Sequence, residues 1–185
     1  MAQVRGRDLI DAVLFVRQAH GRDAHDRVLE ALGNDVPDAF RSELREPSWY
    51  PLDALTAYLR AAQRRLAPDN PRFFREQGFF AARREKATFL GPMVATAENR
   101  ARLAPTAWRL FYDTGRLEVI GEPSGEERGR VHDFPTTPEL CERFCGIWEG
   151  MASTAAQRAR AQHPRCVLRG DPYCDFLVVY EPVGP

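Results

Sequence analysis

Cysteine is the residue type in this sequence with the widest range of chemistry, and all four cysteines lie between positions 141 and 174. Cys141 and Cys145 are four positions apart in a predicted helix, so their side chains share one face of it. Cys166 and Cys174 flank the turn sequence Gly-Asp-Pro at 170–172 of a predicted hairpin. Directly opposite residues of such a hairpin lie about 5 Å apart at Cβ. The spacing therefore predicts a cluster of thiols.

Thiolate and imidazole groups are the ligands that zinc prefers, arranged as a closed tetrahedron with Zn–S distances of about 2.3 Å. His163, three residues before Cys166, adds an imidazole to the set. The candidate metal ligands are Cys141, Cys145, His163, Cys166 and Cys174. Buried cysteines also pack as small hydrophobic residues without any metal. Because the CxxC pairs of a zinc ribbon are missing, packing is favoured and zinc is the alternative.

Aromatic residues form a second group of candidates. Trp108, Phe111 and Tyr112 precede a predicted strand, and Phe144 and Trp148 share a face of the cysteine-bearing helix. If the two groups converge between helices and sheet, they line an apolar pocket for a small molecule. Aromatic residues at helical spacing more often belong to a packed core. These five are the candidate ligand-binding residues.

Motifs of the common catalytic sites are missing from the sequence. It contains no GxSxG, no glycine-rich phosphate loop and no HExxH. His163 and Cys166 could form a nucleophilic pair, but no acid that would orient the histidine is identifiable. We therefore expect a binding protein and not an enzyme.

Charge and hydropathy exclude several classes of partner. Lys and Arg number 26, as do Asp and Glu, so no overall field favours nucleic acid or anionic lipid. No stretch approaches the roughly 18 to 20 apolar residues needed for membrane insertion, and no secretory signal pattern is present. We expect a cytoplasmic protein with reduced thiols.

The elements that must position these residues follow from hydrophobic periodicity. It predicts helices to about residue 19, from about 23, near 37–44, from 51, over 73–90 and ending at 111. Alternation predicts strands at 117–121, 129–134, 165–169 and 173–180, with a long helix at 139–162 between the two hairpins. This order predicts one α+β domain over 1–185, with an N-terminal helical layer on a four-stranded antiparallel sheet.

Three segments carry a resemblance to a known superfamily. Residues 6–21 resemble the first helix and glycine break of haem–nitric-oxide-binding (H-NOX) domains, and 112–116 resemble their Tyr-x-Ser-x-Arg element. Residues 166–176 are similar to the terminal hairpin of 4-vinyl-reductase-type domains. Those are sensing modules of bacterial phenol-responsive activators, and they share their fold with TRAPP subunits. End to end, the chain resembles a myxobacterial paralogous family with a Trp-Tyr-Pro segment like 49–51.

The resemblance implies different cofactors for different relatives. H-NOX domains ligate haem through a histidine on the helix ahead of the Tyr-x-Ser-x-Arg element, and the matching stretch 79–90 has none, so haem is not expected. The phenol sensors bind zinc through cysteines and one glutamate. Cys166 and Cys174 match two of these positions, and Cys141 or Cys145 could match the helix cysteine. His163 stands near the glutamate position.

The expected function follows from the same resemblance. It implies a sensory or binding module that holds a small apolar or aromatic molecule between helical layer and sheet. The alternative is a TRAPP-like homodimeric scaffold without a ligand, because TRAPP subunits act by assembly.

Overall fold

The helical layer comes first along the chain. The protein is described here from a computed structural model covering residues 1–88, 91, 96–121, 126–154 and 157–182. The helices of these residues are α1 (Gly6–His20), α2 (Ala24–Leu32), α3 (Leu52–Leu66), α4 (Phe73–Lys86), α5 (Ala97–Phe111) and α6 (Pro138–Ala152). None of them is long and apolar enough to cross a membrane.

Two antiparallel sheets are formed by the described residues. The strands are β1 (Gln3–Arg5), β2 (Trp49–Pro51), β3 (Arg116–Gly121), β4 (Glu127–His132), β5 (Gln157–Arg165) and β6 (Cys174–Pro182). Strands β1 and β2 pair with each other, and the larger sheet has the order β3–β4–β6–β5. The predicted α+β class and four-stranded antiparallel sheet are confirmed. The β1–β2 pair was not predicted, because three-residue strands are too short to show a period.

The predicted helix over 139–162 is wrong beyond its fourth turn. Helix α6 ends at Ala152, and Ser153 is already extended, with φ −65° and ψ 138°. Residues from Gln157 onward pair with β6 as an edge strand. Ala159 and Ala161 are buried there and alternate with exposed arginines. Alanine and arginine favour helices, so packing against the sheet overrides local propensity in this segment.

Other boundaries also differ from the sequence prediction, and the strand predicted at 129–134 runs from Glu127 to His132. The strand predicted at 165–169 keeps only its first residue, and Val167–Arg169 form a 3-10 turn. The helix predicted near 37–44 is a 3-10 turn at Asp38–Phe40. Helix α4 ends at Lys86, and positions 89 and 90 of the predicted helix lie outside the described residues.

Helices α4 and α6 approach closely because glycines lie at their crossing. A β-carbon added to Gly78 would overlap the carbonyl oxygen of Arg143, and one added to Gly146 would overlap that of Arg75. At Gly150 it would lie 2.7 Å from Cβ of Ala82. This crossing sets the position of the α6 side chains that face the cavity described next.

Candidate functional site

A mostly apolar cavity of about 140 Å³ lies between the helices and the sheet. Its walls come from α1, α4, α5, α6, β3 and β4. The five aromatic residues selected from the sequence all line it: Trp108, Phe111, Tyr112, Phe144 and Trp148. For scale, a dry engineered cavity of about 150 Å³ in another protein binds benzene. The volume therefore matches one aromatic ring.

The aromatic wall is held by ring contacts and one hydrogen bond. The ring of Trp108 lies 4.4 Å from that of Tyr112 and 5.5 Å from that of Phe144, centroid to centroid. Its indole Nε1 donates a 3.0 Å hydrogen bond to the carbonyl oxygen of Thr114. Phe134, which the sequence analysis did not select, packs edge-on against Trp108 at 5.1 Å. These contacts leave the wall little freedom to rearrange.

A buried arginine lies at the polar side of the cavity. Arg143 of α6 is 0% exposed, and its guanidinium donates to Gln77 Oε1 at 2.7 Å and to Tyr112 Oη at 2.9 Å. It also donates to Asp8 Oδ1. Buried charges require such partners. Sequence reasoning missed Asp8 and Arg143, although charged residues inside apolar helix faces were a visible signal.

Among the residues bonded to Arg143, Asp8 has one carboxylate oxygen without a hydrogen-bond donor in the described residues. Asp8 lines the cavity and is buried, yet its Oδ2 accepts no hydrogen bond from any described residue. An unpaired buried acceptor costs about 1–3 kcal/mol. A donor group of a bound molecule would remove that cost.

Asp11 lies one turn further along α1 and also lines the cavity. Burial, together with the nearby charge of Asp8, raises the pKa of its carboxyl group from 3.8 to about 7, although Arg84 forms an ion pair with it. The native state therefore binds this proton more tightly than the unfolded chain does. The stability that the bound proton contributes is complete below about pH 4 and is lost as pH rises to about 7.

We expect Asp11→Asn to remove this pH dependence. Each pKa unit corresponds to about 1.4 kcal/mol, so wild type should lose up to about 4 kcal/mol, relative to the variant, between about pH 4 and pH 7. Urea unfolding of both proteins at about pH 4 and about pH 8 measures the difference. An equal pH dependence in the two proteins would contradict the prediction.

Three cysteines and one histidine meet at the end of the sheet. Cys141 comes from α6, His163 from β5, Cys166 from the residue after β5, and Cys174 from the start of β6. Their ligand atoms all lie within 4.8 Å of one another. The Sγ atom of Cys166 is 3.7 Å from that of Cys141 and 3.9 Å from that of Cys174. Tetrahedral zinc with 2.3 Å bonds requires S–S separations of roughly 3.8 Å.

The histidine of this cluster is oriented by stacking, and one of its two ring nitrogens has no partner among the described residues. Its imidazole stacks on Phe176 with ring centroids 4.5 Å apart and an interplanar angle of 4°. The Nε2 atom of His163 is buried and has no hydrogen-bond partner among the described residues. A metal ion is one partner that would satisfy it.

The loop between β5 and β6 is held by its own hydrogen bonds. The backbone N–H of Cys166 donates to Asp171 Oδ2 at 2.8 Å, and Gly170 adopts φ 89°, which favours glycine. The turn predicted from the Gly-Asp-Pro sequence is therefore present. It holds Cys166 beside Cys174.

Cys145 lies outside the cluster. It is fully buried, and burial raises the pKa of its thiol to about 12. Within the cluster, hydrogen bonding with Cys141 lowers the pKa of the Cys174 thiol against the effect of burial, while the pKa of the Cys141 thiol is raised. The cluster therefore favours a thiolate at Cys174, and the thiolate is the form of cysteine that binds metals.

Comparison with known proteins supports the fold. No protein-family model and no curated protein match the sequence. An H-NOX protein from S. oneidensis in the Fe(II)NO ligation state matches with TM-score 0.73 and 14% identity, over 96% of this chain and 99% of that chain. An Fe(II) unliganded H-NOX variant from K. algicida matches with TM-score 0.72 and 8% identity, over 96% of each chain.

A trafficking protein particle complex subunit 3 from Naegleria fowleri, covalently bound to palmitic acid, gives TM-score 0.44 and 17% identity. The match covers 58% of this chain and 78% of that chain. The H-NOX matches show that the chain has an H-NOX-like fold. The resemblance to the myxobacterial family stays a prediction.

Proposed function

We propose that this protein is a non-enzymatic sensory module that binds one small, mostly apolar aromatic molecule between its helical layer and its sheet. The observation that carries the proposal is the cavity of about 140 Å³ lined by Trp108, Phe144 and Trp148. Ligand sites of this kind combine apolar walls with a few polar groups that orient the ligand. The H-NOX-like fold is consistent with a ligand between these layers.

Asp8 determines which ligand fits best. Its Oδ2 is buried at the cavity and unpaired within the described chain, whereas its Oδ1 accepts from Arg143. A ligand O–H or N–H would supply the missing donor. The preferred ligand is therefore a single ring that carries one hydrogen-bond donor.

Haem does not fit the residues present. The solved H-NOX structures include Fe(II) states, yet none of the four histidines of this chain is among the residues that line the cavity. His20 stacks on Phe73, His25 contacts Tyr58, and His132 lies near Glu118. The fourth, His163, belongs to the thiol cluster. A cavity that matches one ring is also too small for a porphyrin.

Zinc fits the thiol cluster. Cys141, His163, Cys166 and Cys174 would hold it as a closed site, which is typical of structural zinc and leaves no position for a substrate. The bound ion would connect α6 to the β5–β6 hairpin. It would thereby hold the helix that carries Phe144 and Trp148 against the sheet.

Ligand binding is tested by filling the cavity without removing its walls. Ala104 of α5 lines the cavity, so Ala104→Leu places extra atoms inside it. Thr106→Leu makes an exposed change on the same helix and is the matched control. We expect phenol or aniline to raise the melting temperature of wild type and the control, and benzene, which has no hydrogen-bond donor, to do so less. Ala104→Leu should lose the response.

The homodimeric scaffold is the alternative outcome of this experiment. It would be favoured if none of these compounds shifted the melting temperature of wild type and if analytical ultracentrifugation gave a dimer. A response that persists in Ala104→Leu would contradict binding in this cavity.

A further inference from the structure

A second concave surface, which we name the arginine groove, lies between α4 and the edge strand β5. Its volume is about 670 Å³. Five arginines line it: Arg72, Arg75, Arg83, Arg158 and Arg160. The carboxylates of Glu76 and Glu149 are the acidic groups in its described lining. The chain as a whole carries no net charge, so the positive charge of the groove is a local feature.

Three of these arginines are available to a partner. Arg75 pairs with Glu142 and Glu149, and Arg160 pairs with Glu181. Arg72, Arg83 and Arg158 are exposed and form no ion pair within the described ranges. They lie on both walls of the groove: Arg72 directly precedes α4, Arg83 lies on α4, and Arg158 lies on β5. An acidic partner would supply the counter-charges that the chain does not.

The edge of β5 is closed to an added strand along this groove. The outward N–H groups of Gln157, Ala159 and Ala161 donate to side chains at 2.9–3.1 Å. The acceptors are Thr154 Oγ1, Ser153 Oγ and Glu149 Oε1. A partner cannot use these N–H groups for strand addition. It must bind through side chains.

Phe79 provides an apolar contact in the groove. The residue is 37% exposed, and it lines the groove together with Arg75 and Arg83 of the same helix. Aromatic and arginine side chains are enriched at the energetic centres of protein interfaces. An aromatic residue flanked by arginines suits an amphipathic helix with carboxylates beside its apolar stripe.

We infer that the arginine groove docks an acidic amphipathic helix of a partner protein. The carboxylates of the helix pair with Arg72, Arg83 and Arg158, and an apolar side chain packs on Phe79. The opposite face of α4 lines the ligand cavity through Ala81 and Ala82. The same helix therefore carries both sites. The docking inference does not depend on any ligand being found.

The test uses a fluorescein-labelled, lactam-stapled helical peptide of Glu and Leu with one acidic and one apolar face. A peptide with Lys in place of each Glu is the charge control. Fluorescence anisotropy with the full chain should show binding of the Glu peptide that weakens as salt is raised. The Lys peptide should not bind.

Charge reversal locates the binding surface. Arg72→Glu, Arg83→Glu and Arg158→Glu, combined in one variant, should weaken binding of the Glu peptide by about tenfold or more. Arg22→Glu, Arg64→Glu and Arg65→Glu make the same charge change at exposed arginines outside the groove. This control variant should bind within about twofold of wild type. Circular dichroism confirms that both variants fold.

Phe79→Ala separates helix docking from simple charge attraction, since it should weaken binding with all arginines retained. The inference is overturned if the Glu peptide does not bind wild type, or if the two triple variants lose affinity equally. Tighter binding of a single-stranded oligonucleotide through the same three arginines would also overturn it, in favour of nucleic acid.

Discussion

The substitution Gly146→Ala is expected to lower the free energy of unfolding by about 3 kcal/mol or more. The added β-carbon would overlap the carbonyl oxygen of Arg75 and would lie 2.8 Å from the backbone nitrogen of Phe79. Both are backbone atoms inside α4, so no side chain can rotate away. The two helices must separate, which disturbs the packing around Arg143. Urea unfolding followed by circular dichroism measures the loss.

Gly121→Ala is the matched control for this substitution. Position 121 ends β3, and a β-carbon there would meet no atom of the described residues within 4 Å. Its φ is not positive, so we expect a change within about 0.5 kcal/mol. If the two alanine variants were equally stable, the close crossing of α4 and α6 would be contradicted.

The second large effect that we expect is the loss of zinc, and with it of stability, in the variant Cys166→Ser. Wild type should contain one zinc ion per chain by inductively coupled plasma mass spectrometry, and Cys166→Ser should contain almost none. Binding of structural zinc contributes directly to folding free energy. The variant should therefore be less stable by several kcal/mol, and a chelator should lower the melting temperature of wild type but not of the variant.

Cys145→Ser separates metal binding from packing. Cys145 is as buried as the cluster thiols but lies outside the cluster. A hydroxyl in its place should cost about 1–3 kcal/mol and leave the zinc content at one. If wild type contained no zinc after growth with zinc, and the chelator had no effect, the thiols would be packing groups only.

The local sequence was sufficient to predict where helix α6 begins and which face of strand β6 is buried. Pro138 begins α6 as predicted, and Thr137 Oγ1 caps it by accepting from the N–H of Leu140 at 3.3 Å. The alternation from Cys174 onward predicted the buried face of β6, on which Phe176 and Val178 are fully buried. The capping hydrogen bond of α6 and the alternation of β6 each lie within a few residues, so both can be read from the local sequence.

The conformation of strand β5 depends on hydrogen bonds to residues of other elements, most of all to strand β6. Its backbone pairs with β6, and its outer N–H groups at 159 and 161 donate to side chains of Ser153 and Glu149. Local composition favours a helix there. The hydrogen bonds of the sheet edge decide the conformation, and they exist only once β6 and the end of α6 are assembled.

The sequence by itself determined the residue types of the two candidate sites, since thiols, an imidazole and aromatic rings were recognisable from type and spacing. The tertiary structure decided which of them meet. Four residues advance about 6 Å along α6, so Cys141 reaches the hairpin thiols and Cys145 does not. The buried charge of Arg143 also needed Asp8, Gln77 and Tyr112, because its partners come from three separate parts of the chain and contact it only after the layers pack.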